Sequence, residues 1–384
     1  MKGFVLALVA TLAVAGWGGP IPAPTSGPTS APAVTTIVLA AATIEPTGEP
    51  VSAATAPTLG QLIGQKLVVR MDGVTPSADL LGRIKRGEVG GVILLGFNIT
   101  TRTALIALTG KLRAAAAAGG QPPLLIAVDQ EGGSVKRIPW APPTLSPPEM
   151  GQIGSTLVAR SQGADTGTAL HGLGINVDLA PVADVPGSTA SFMYQAGRTW
   201  SFNASRTAYL ADAFASGLES KGVVPTMKHF PGIGFATKNT DAYVVTIRAS
   251  ATELAPGLRP YRLSISHHIP LIMLSNATYT AYDSHFAAGW SRAISVTLLR
   301  RTLGFAGVTI TDSLDGTAKA RGLSTAHLAL RAAQAGTDMI LTTGSEATSR
   351  GVYATLLLDA QNGTIPTATL RASYDRILAL KAGL

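Results

Sequence analysis

Five polar strings, each following a run of Val, Ile and Leu, hold most of the plausible chemistry in this chain. They are Asp129-Gln130-Glu131-Gly132-Gly133, Ala180-Pro181-Val182-Ala183-Asp184, Lys228-His229-Phe230-Pro231-Gly232, Ser275-Asn276-Ala277 and Thr311-Asp312-Ser313-Leu314-Asp315. Single polar residues after strands are ordinary helix caps. Five strings in succession, all on one rim, make a site. Several carboxylates around cationic Lys228 and neutral acceptors suit a ligand covered in hydroxyls, because each hydroxyl both donates and accepts. The chain has no cysteine, which excludes a thiol nucleophile, a Cys-based zinc site, a disulfide framework and a lipidated cysteine. Carboxylates, hydroxyls and imidazoles remain. The six histidines show no H-E-x-x-H or similar metal spacing, so no metal is expected. Adjacent His267 and His268 read as cap residues at the end of a helix. No Gly-x-Ser-x-Gly elbow or phosphate-cradling loop is present, which leaves acyl and phosphoryl transfer without support.

The elements that must position these strings are eight short apolar runs, at 67–71, 89–95, 124–128, 175–179, 223–227, 270–274, 308–310 and 338–341. They alternate with stretches of helical period, such as Leu210, Phe214 and Leu218 at a spacing of four. Such alternation marks β-α units around a parallel sheet. Eight units in one domain suggest an α/β fold of the closed (β/α)8 TIM-type barrel, and no dinucleotide-type glycine fingerprint follows the first strand to favour an open sheet. In a barrel, active sites lie at the C-terminal strand ends, where the polar strings fall.

Outside the barrel, Lys2, an apolar stretch at 3–15 and Ala13-Val14-Ala15 have the pattern of a secretory signal peptide, taken as residues 1–15. Residues 16–58 are dense in Pro, Ala, Thr and Ser and read as a flexible tether. The barrel domain then spans 59–384. The apolar stretch falls short of the roughly 20 residues a membrane span needs, so no stable span is expected in the mature chain. Export follows, to the medium or the cell wall. With 46% hydrophobic and 14% charged residues, the 384-residue chain can bury a large core. Its net charge of +8 is not gathered into runs of Lys and Arg interleaved with aromatics, so no nucleic acid partner is expected.

Five strings together resemble successive motifs of glycoside hydrolase family 3. They are AVDQEGGSVKRI at 127–138, LGINVDLAPVADV at 173–185, MKHFPGIG at 227–234, IMLSNATY at 272–279 and LGFAGVTITDSL at 303–314. The single-domain bacterial β-N-acetylglucosaminidase branch is the nearest, and the order holds from about Leu59 to the C-terminus. The resemblance implies a retaining exo-β-glycosidase, a β-N-acetylhexosaminidase that removes terminal β-linked N-acetylglucosamine from cell-wall (peptidoglycan) or other glycans without a cofactor. It assigns Asp312 as nucleophile and Asp129, Arg137, Arg198, Lys228 and His229 as substrate-binding residues. The sequence departs from the family pattern in three places. Ser134 replaces a common arginine, Ile233 replaces a histidine, and Asn239-Thr240-Asp241 replaces an Asp-Ser-His triplet whose Asp-His dyad is the family's acid/base. Asp241, at the place of the lost histidine, is the candidate acid/base, on a loop with Gly232 and Gly234. Asp315 is a candidate for tuning Asp312 by like charge. Two alternatives stay open: a glycan-binding barrel with impaired catalysis, and a β-glycosidase of different sugar specificity.

Overall fold

The first helix of the described residues is capped. In the computed structural model, which describes residues 56–384, the side chain of Thr58 accepts a hydrogen bond from the Gln61 amide at 3.2 Å, and Gln61 Oε1 accepts from the Thr58 amide at 2.9 Å. This reciprocal cap opens the helix Leu59–Gly64. The signal-peptide assignment, and all of the tether before residue 56, lie outside the described residues.

The eight apolar runs form eight strands: β1 (Leu67–Arg70), β2 (Gly91–Leu94), β3 (Leu125–Val128), β4 (Val177–Asp178), β5 (Val224–Phe230), β6 (Leu271–Leu274), β7 (Val308–Thr311) and β8 (Ile340–Thr342). All pair in parallel, in the spatial order β7-β6-β5-β4-β3-β2-β1-β8. A parallel bridge between Ile310 and Met339 closes the ring. Period-two alternation then divides the apolar residues between two cores. Val68, Ile93, Leu125, Ala127, Val177, Leu179, Leu271, Met273 and Leu341 fill the barrel interior. Leu67, Val69, Val92, Leu94, Ile126, Val128, Ile272 and Leu274 face outward under the helices. Buried on both faces, the strands read as near-continuous apolar runs, which is why they stand out in the sequence.

All eight strands shift at their ends from the sequence expectation, and two of the shifts have a clear local cause or bear on the site. β4 shrinks to two residues because the side chain of Asn176 takes over the ladder, accepting from the Ile126 amide at 2.7 Å and donating to Leu124 O at 3.0 Å. β5 instead runs on through Lys228 and His229, held by a bridge from Val182 to Lys228. Lys228 and His229 therefore stand on a strand, a more rigid seat than a loop. The helical layer is tightest where Thr156–Gly172 crosses Ala204–Glu219. There a Cβ on Gly163 would stand 2.1 Å from Phe214 O, and one on Gly217 2.3 Å from Arg160 O. Only glycine permits that approach. At the opposite end of the barrel Asp338, fully buried, is gripped by Arg300 and Arg376. No helix among the described residues is long and apolar enough to cross a membrane.

Candidate active site

At the C-terminal strand ends a cavity of about 330 Å³ is lined by all seven residues that sequence reasoning assigned: Asp129, Arg137, Arg198, Lys228, His229, Asp241 and Asp312. That volume suits a small-molecule site. A slightly larger groove of about 380 Å³ runs between the helices Thr156–Gly172 and Ala204–Glu219. The strand-end cavity is the functional candidate because the charged groups converge there.

One wall is a chain of alternating charges. Asp129 leaves the end of β3, and Glu131 follows two residues later on the same side. Lys228 Nζ lies 2.7 Å from Asp129 Oδ1 and 2.6 Å from Glu131 Oε1. Arg198 meets Glu131 in a two-pronged pair, at 2.8 Å through Nε and 2.7 Å through Nη2. Arg137 stands 3.6 Å from Asp129 and is 37% exposed, the loosest member. Burial alone would raise the Glu131 pKa, but Lys228 and Arg198 overcome it and hold the carboxyl at about 2. Burial also works against the Lys228 ammonium, and Asp129 with Glu131 outweighs it, leaving its pKa raised. The Glu131 carboxylate and the Lys228 ammonium therefore stay ionised at neutral pH. Fixed donors and acceptors of this kind hold hydroxyl groups in one orientation.

His229, on β5, is buried and anchored from behind. Its Nδ1 pairs with Asp184 Oδ2 at 2.8 Å, while Asp184 Oδ1 accepts from the Ile233 amide at 2.7 Å. Ile233 itself is buried, so the position where the family carries a histidine serves packing here. Ser134 turns to the Ala196 carbonyl, at 2.9 Å.

The other wall carries two carboxylates with no basic partner within ion-pair distance among the described residues. Asp312 follows β7 directly, its amide donating to Leu274 O at 2.9 Å and its Oδ1 accepting from the Ser313 amide at 2.8 Å. Asp241 sits on the loop after β5, where its amide donates to Asn239 Oδ1 and its Oδ1 accepts from Asn276 Nδ2 at 3.3 Å. Burial, and then the negative charge of Asp312, push Asp241 up to about 7. Gly316, on the helix Leu314–Ala320, backs the loop: a Cβ there would fall 2.3 Å from Asp241 O. Asp315 does not line the cavity. Its carboxylate accepts from the Thr343 amide at 2.6 Å and from Thr325 Oγ1 at 3.0 Å, which makes it a clamp between loops. Among the described residues no group of three or more acidic or histidine side chains could hold a metal ion.

Glu131, Asp184, Asn276 and Gly316 were not singled out from sequence, although the first three lie in the polar strings. Alternation along an extended chain puts Glu131 on the side of Asp129, a signal that was available. Gly316 gave none.

A sequence profile of the glycosyl hydrolase family 3 N-terminal domain matches residues 58–380. A secreted glycosyl hydrolase of Arthroderma benhamiae, itself uncharacterised, is 34% identical over 86% of this chain and 95% of its own. The β-N-acetylhexosaminidase of Beutenbergia cavernae superposes with a TM-score of 0.79 at 31% identity, covering 85% of this chain and 99% of that one. The family 3 β-N-acetylglucosaminidase of a Paenibacillus species gives 0.81 at 28% identity over 85% of this chain, which spans 63% of that longer protein. With the barrel, the strand-end carboxylates and this likeness together, the chain belongs to glycosyl hydrolase family 3 and is a hydrolase of O-glycosyl bonds.

Proposed function

We propose that this hydrolase is a retaining exo-β-N-acetylhexosaminidase, with Asp312 as nucleophile and Asp241 as acid/base. The observation that carries the reading is the position of Asp241, held up to about 7 in the same cavity as Asp312. A lone exposed aspartate, ordinarily near 3.9, would be ionised at neutral pH and have no proton to give. Here burial, and then the charge of Asp312, raise the Asp241 carboxyl, which fits it for the acid role beside a nucleophilic Asp312.

In the first step Asp312 attacks the anomeric carbon while Asp241 delivers its proton to the leaving oxygen, giving a glycosyl-enzyme ester and the free alcohol. In the second, the Asp241 carboxylate takes a proton from water, whose oxygen attacks the anomeric carbon and frees Asp312. Asp129, Lys228, Arg198, Arg137 and His229 orient the sugar hydroxyls. The amino-sugar substrate is supported by the names of the two solved relatives, a β-N-acetylhexosaminidase and a β-N-acetylglucosaminidase. The N-terminal pattern at 1–15 and the secreted relative support export, where cell-wall glycans such as peptidoglycan would be the substrate.

Replacement of Asp241 tests the reading. Asp241→Ala should slow a natural disaccharide by about 10²- to 10⁴-fold, and an aryl glycoside with a good leaving group far less. The wild-type basic limb near pH 7 should vanish in the variant, and azide should partly restore the aryl rate by attacking the ester without a base. Equal small losses on both substrates remove Asp241 from the role. Binding of N-acetylglucosamine by the wild type without turnover of even the aryl substrate leaves a glycan-binding barrel instead.

A further inference from the structure

The two carboxylates are joined through a single residue, Ser313, and one buried side-chain amide. The Ser313 amide donates to Asp312 Oδ1 at 2.8 Å, and the carbonyl of the same residue accepts from Asn276 Nδ2 at 2.8 Å. That Nδ2 also donates to Asp241 Oδ1 at 3.3 Å. Asn276 follows β6 and has no exposed surface. Its main-chain carbonyl receives Arg321 Nη2 at 3.4 Å, and Arg321 lies over the Trp290 ring.

The orientation of the amide is fixed by chemistry. A main-chain carbonyl only accepts, so the atom facing Ser313 O must be the nitrogen. Turning the amide over would set oxygen against oxygen. With Nδ2 so placed, Asp241 Oδ1 must accept, and since a carbonyl-type oxygen is the better acceptor, a proton on that carboxyl is favoured on the other oxygen. Among the described residues no other side chain donates a hydrogen bond to Asp241 Oδ1. Titratable groups from three other elements act on it through space: Asp312 after β7, His229 from β5 and Arg198 from the loop after β4. Across the cavity Lys228 and Arg137 are engaged with Asp129 and Glu131.

We infer that Asn276 is the positioning residue of the catalytic pair: its amide ties the acid/base to Ser313, the residue that holds the nucleophile, and favours the transferable proton on Asp241 Oδ2. The inference rests on Asp241 being the acid/base. Asn276 sets the spacing of the two carboxylates, and it assigns which oxygen gives up the proton. It also stabilises ionised Asp241, since a donor favours the charged form.

The test is a pair of variants read by pH profile and leaving group, with folding checked by circular dichroism. Asn276→Ala removes the donor, so the basic limb of kcat/KM should move to higher pH. Turnover of a natural disaccharide should fall on the order of 10- to 100-fold, because the acid is no longer held in line, with a smaller loss on the aryl glycoside. Asn276→Ser, which is small and can donate to one acceptor at a time, should move the limb the same way by less, and it carries the test if the alanine variant does not fold. A merely structural asparagine would lower both substrates alike and leave the limb in place; that outcome overturns the inference. Asp241→Ala run in parallel separates the two failures. If it abolishes the limb while the Asn276 variants leave it unmoved, the acid/base stands and the role of Asn276 falls.

Discussion

Asp178 offers the sharpest quantitative test of the electrostatics beneath the site. Its neighbours Val177 and Leu179 belong to the barrel interior, so its side chain points the other way, under the helical layer, with no exposed surface. Oδ1 accepts from the Gln130 amide at 2.9 Å, and Oδ2 has no partner. Burial drives the pKa from 3.8 to about 8 despite that hydrogen bond. The folded chain thus binds a proton at neutral pH that the unfolded chain has released. Stability from this group is complete below about pH 3.8 and is lost as the pH rises towards 8. At pH 7 the loss covers roughly three pH units, which at about 1.36 kcal/mol each is on the order of 4 kcal/mol. Asp178→Asn keeps an acceptor for Gln130 and has no charge to suppress. It should match the wild type within about 1 kcal/mol at pH 4 and exceed it by several kcal/mol at pH 8, measured by urea unfolding at both pH values. Other titrating groups are common to both chains and cancel in the comparison. An advantage of the same size at both pH values would refute the reasoning, as would destabilisation at both.

Glu131 should behave in the opposite sense. Held at about 2 against 4.5, it contributes on the order of 3 kcal/mol that is present above pH 4.5 and lost as the pH falls towards 2, so Glu131→Gln should be destabilised at pH 7 and show a flatter acid limb in thermal melts. Gly316→Ala pushes a methyl group into the main chain of the Asp241 loop and should cut disaccharide turnover by about 10²-fold with the fold intact; a rate near wild type would mean that the loop shifts without consequence. A chain beginning near Thr58, where the first helix is capped, should fold cooperatively without the preceding residues, and its insolubility beside a soluble full chain would place the boundary elsewhere.

The barrel was legible because its signal is local and repeated. Each strand is a short Val, Ile and Leu run buried on both faces, and eight of them left little choice of architecture. The ends of β4 were not legible, since the side chain of Asn176 replaces backbone pairing there and propensity does not register such a substitution. At the site, Asp129, Lys228 and Asp312 were found from strand-end position and motif. Asn276 and Gly316 escaped because their importance lies in what they touch. Asn276 is 35 residues from Asp241 and 37 from Ser313, and only the closed ring brings the three together. Asp315 belongs to the same string as Asp312 but does not line the cavity; its carboxylate holds Thr343 and Thr325 instead.

The two walls of the cavity explain how one loop can change its chemistry while the rim stays constant. On the binding wall every carboxylate has a cation within ion-pair distance, so its charges are compensated and its geometry is fixed whatever occupies the site. On the catalytic wall neither Asp241 nor Asp312 has such a partner among the described residues; both are held by uncharged donors, Asn276 Nδ2 and the Ser313 amide. Two like charges in a partly buried space cannot both ionise freely, and burial together with the charge of Asp312 raises the Asp241 carboxyl. A loop carboxyl placed within the field of Asp312 can therefore hold a proton that a free aspartate would lose. The repulsion that would destabilise two ionised aspartates is the same interaction that arms one of them, and neutralising Asp312 as Asp312→Asn should lower the Asp241 pKa as well as stop turnover. Carboxyl stretching bands of isotopically edited Asp241, followed against pH in that variant, would show the shift; an unchanged midpoint would leave burial as its sole cause.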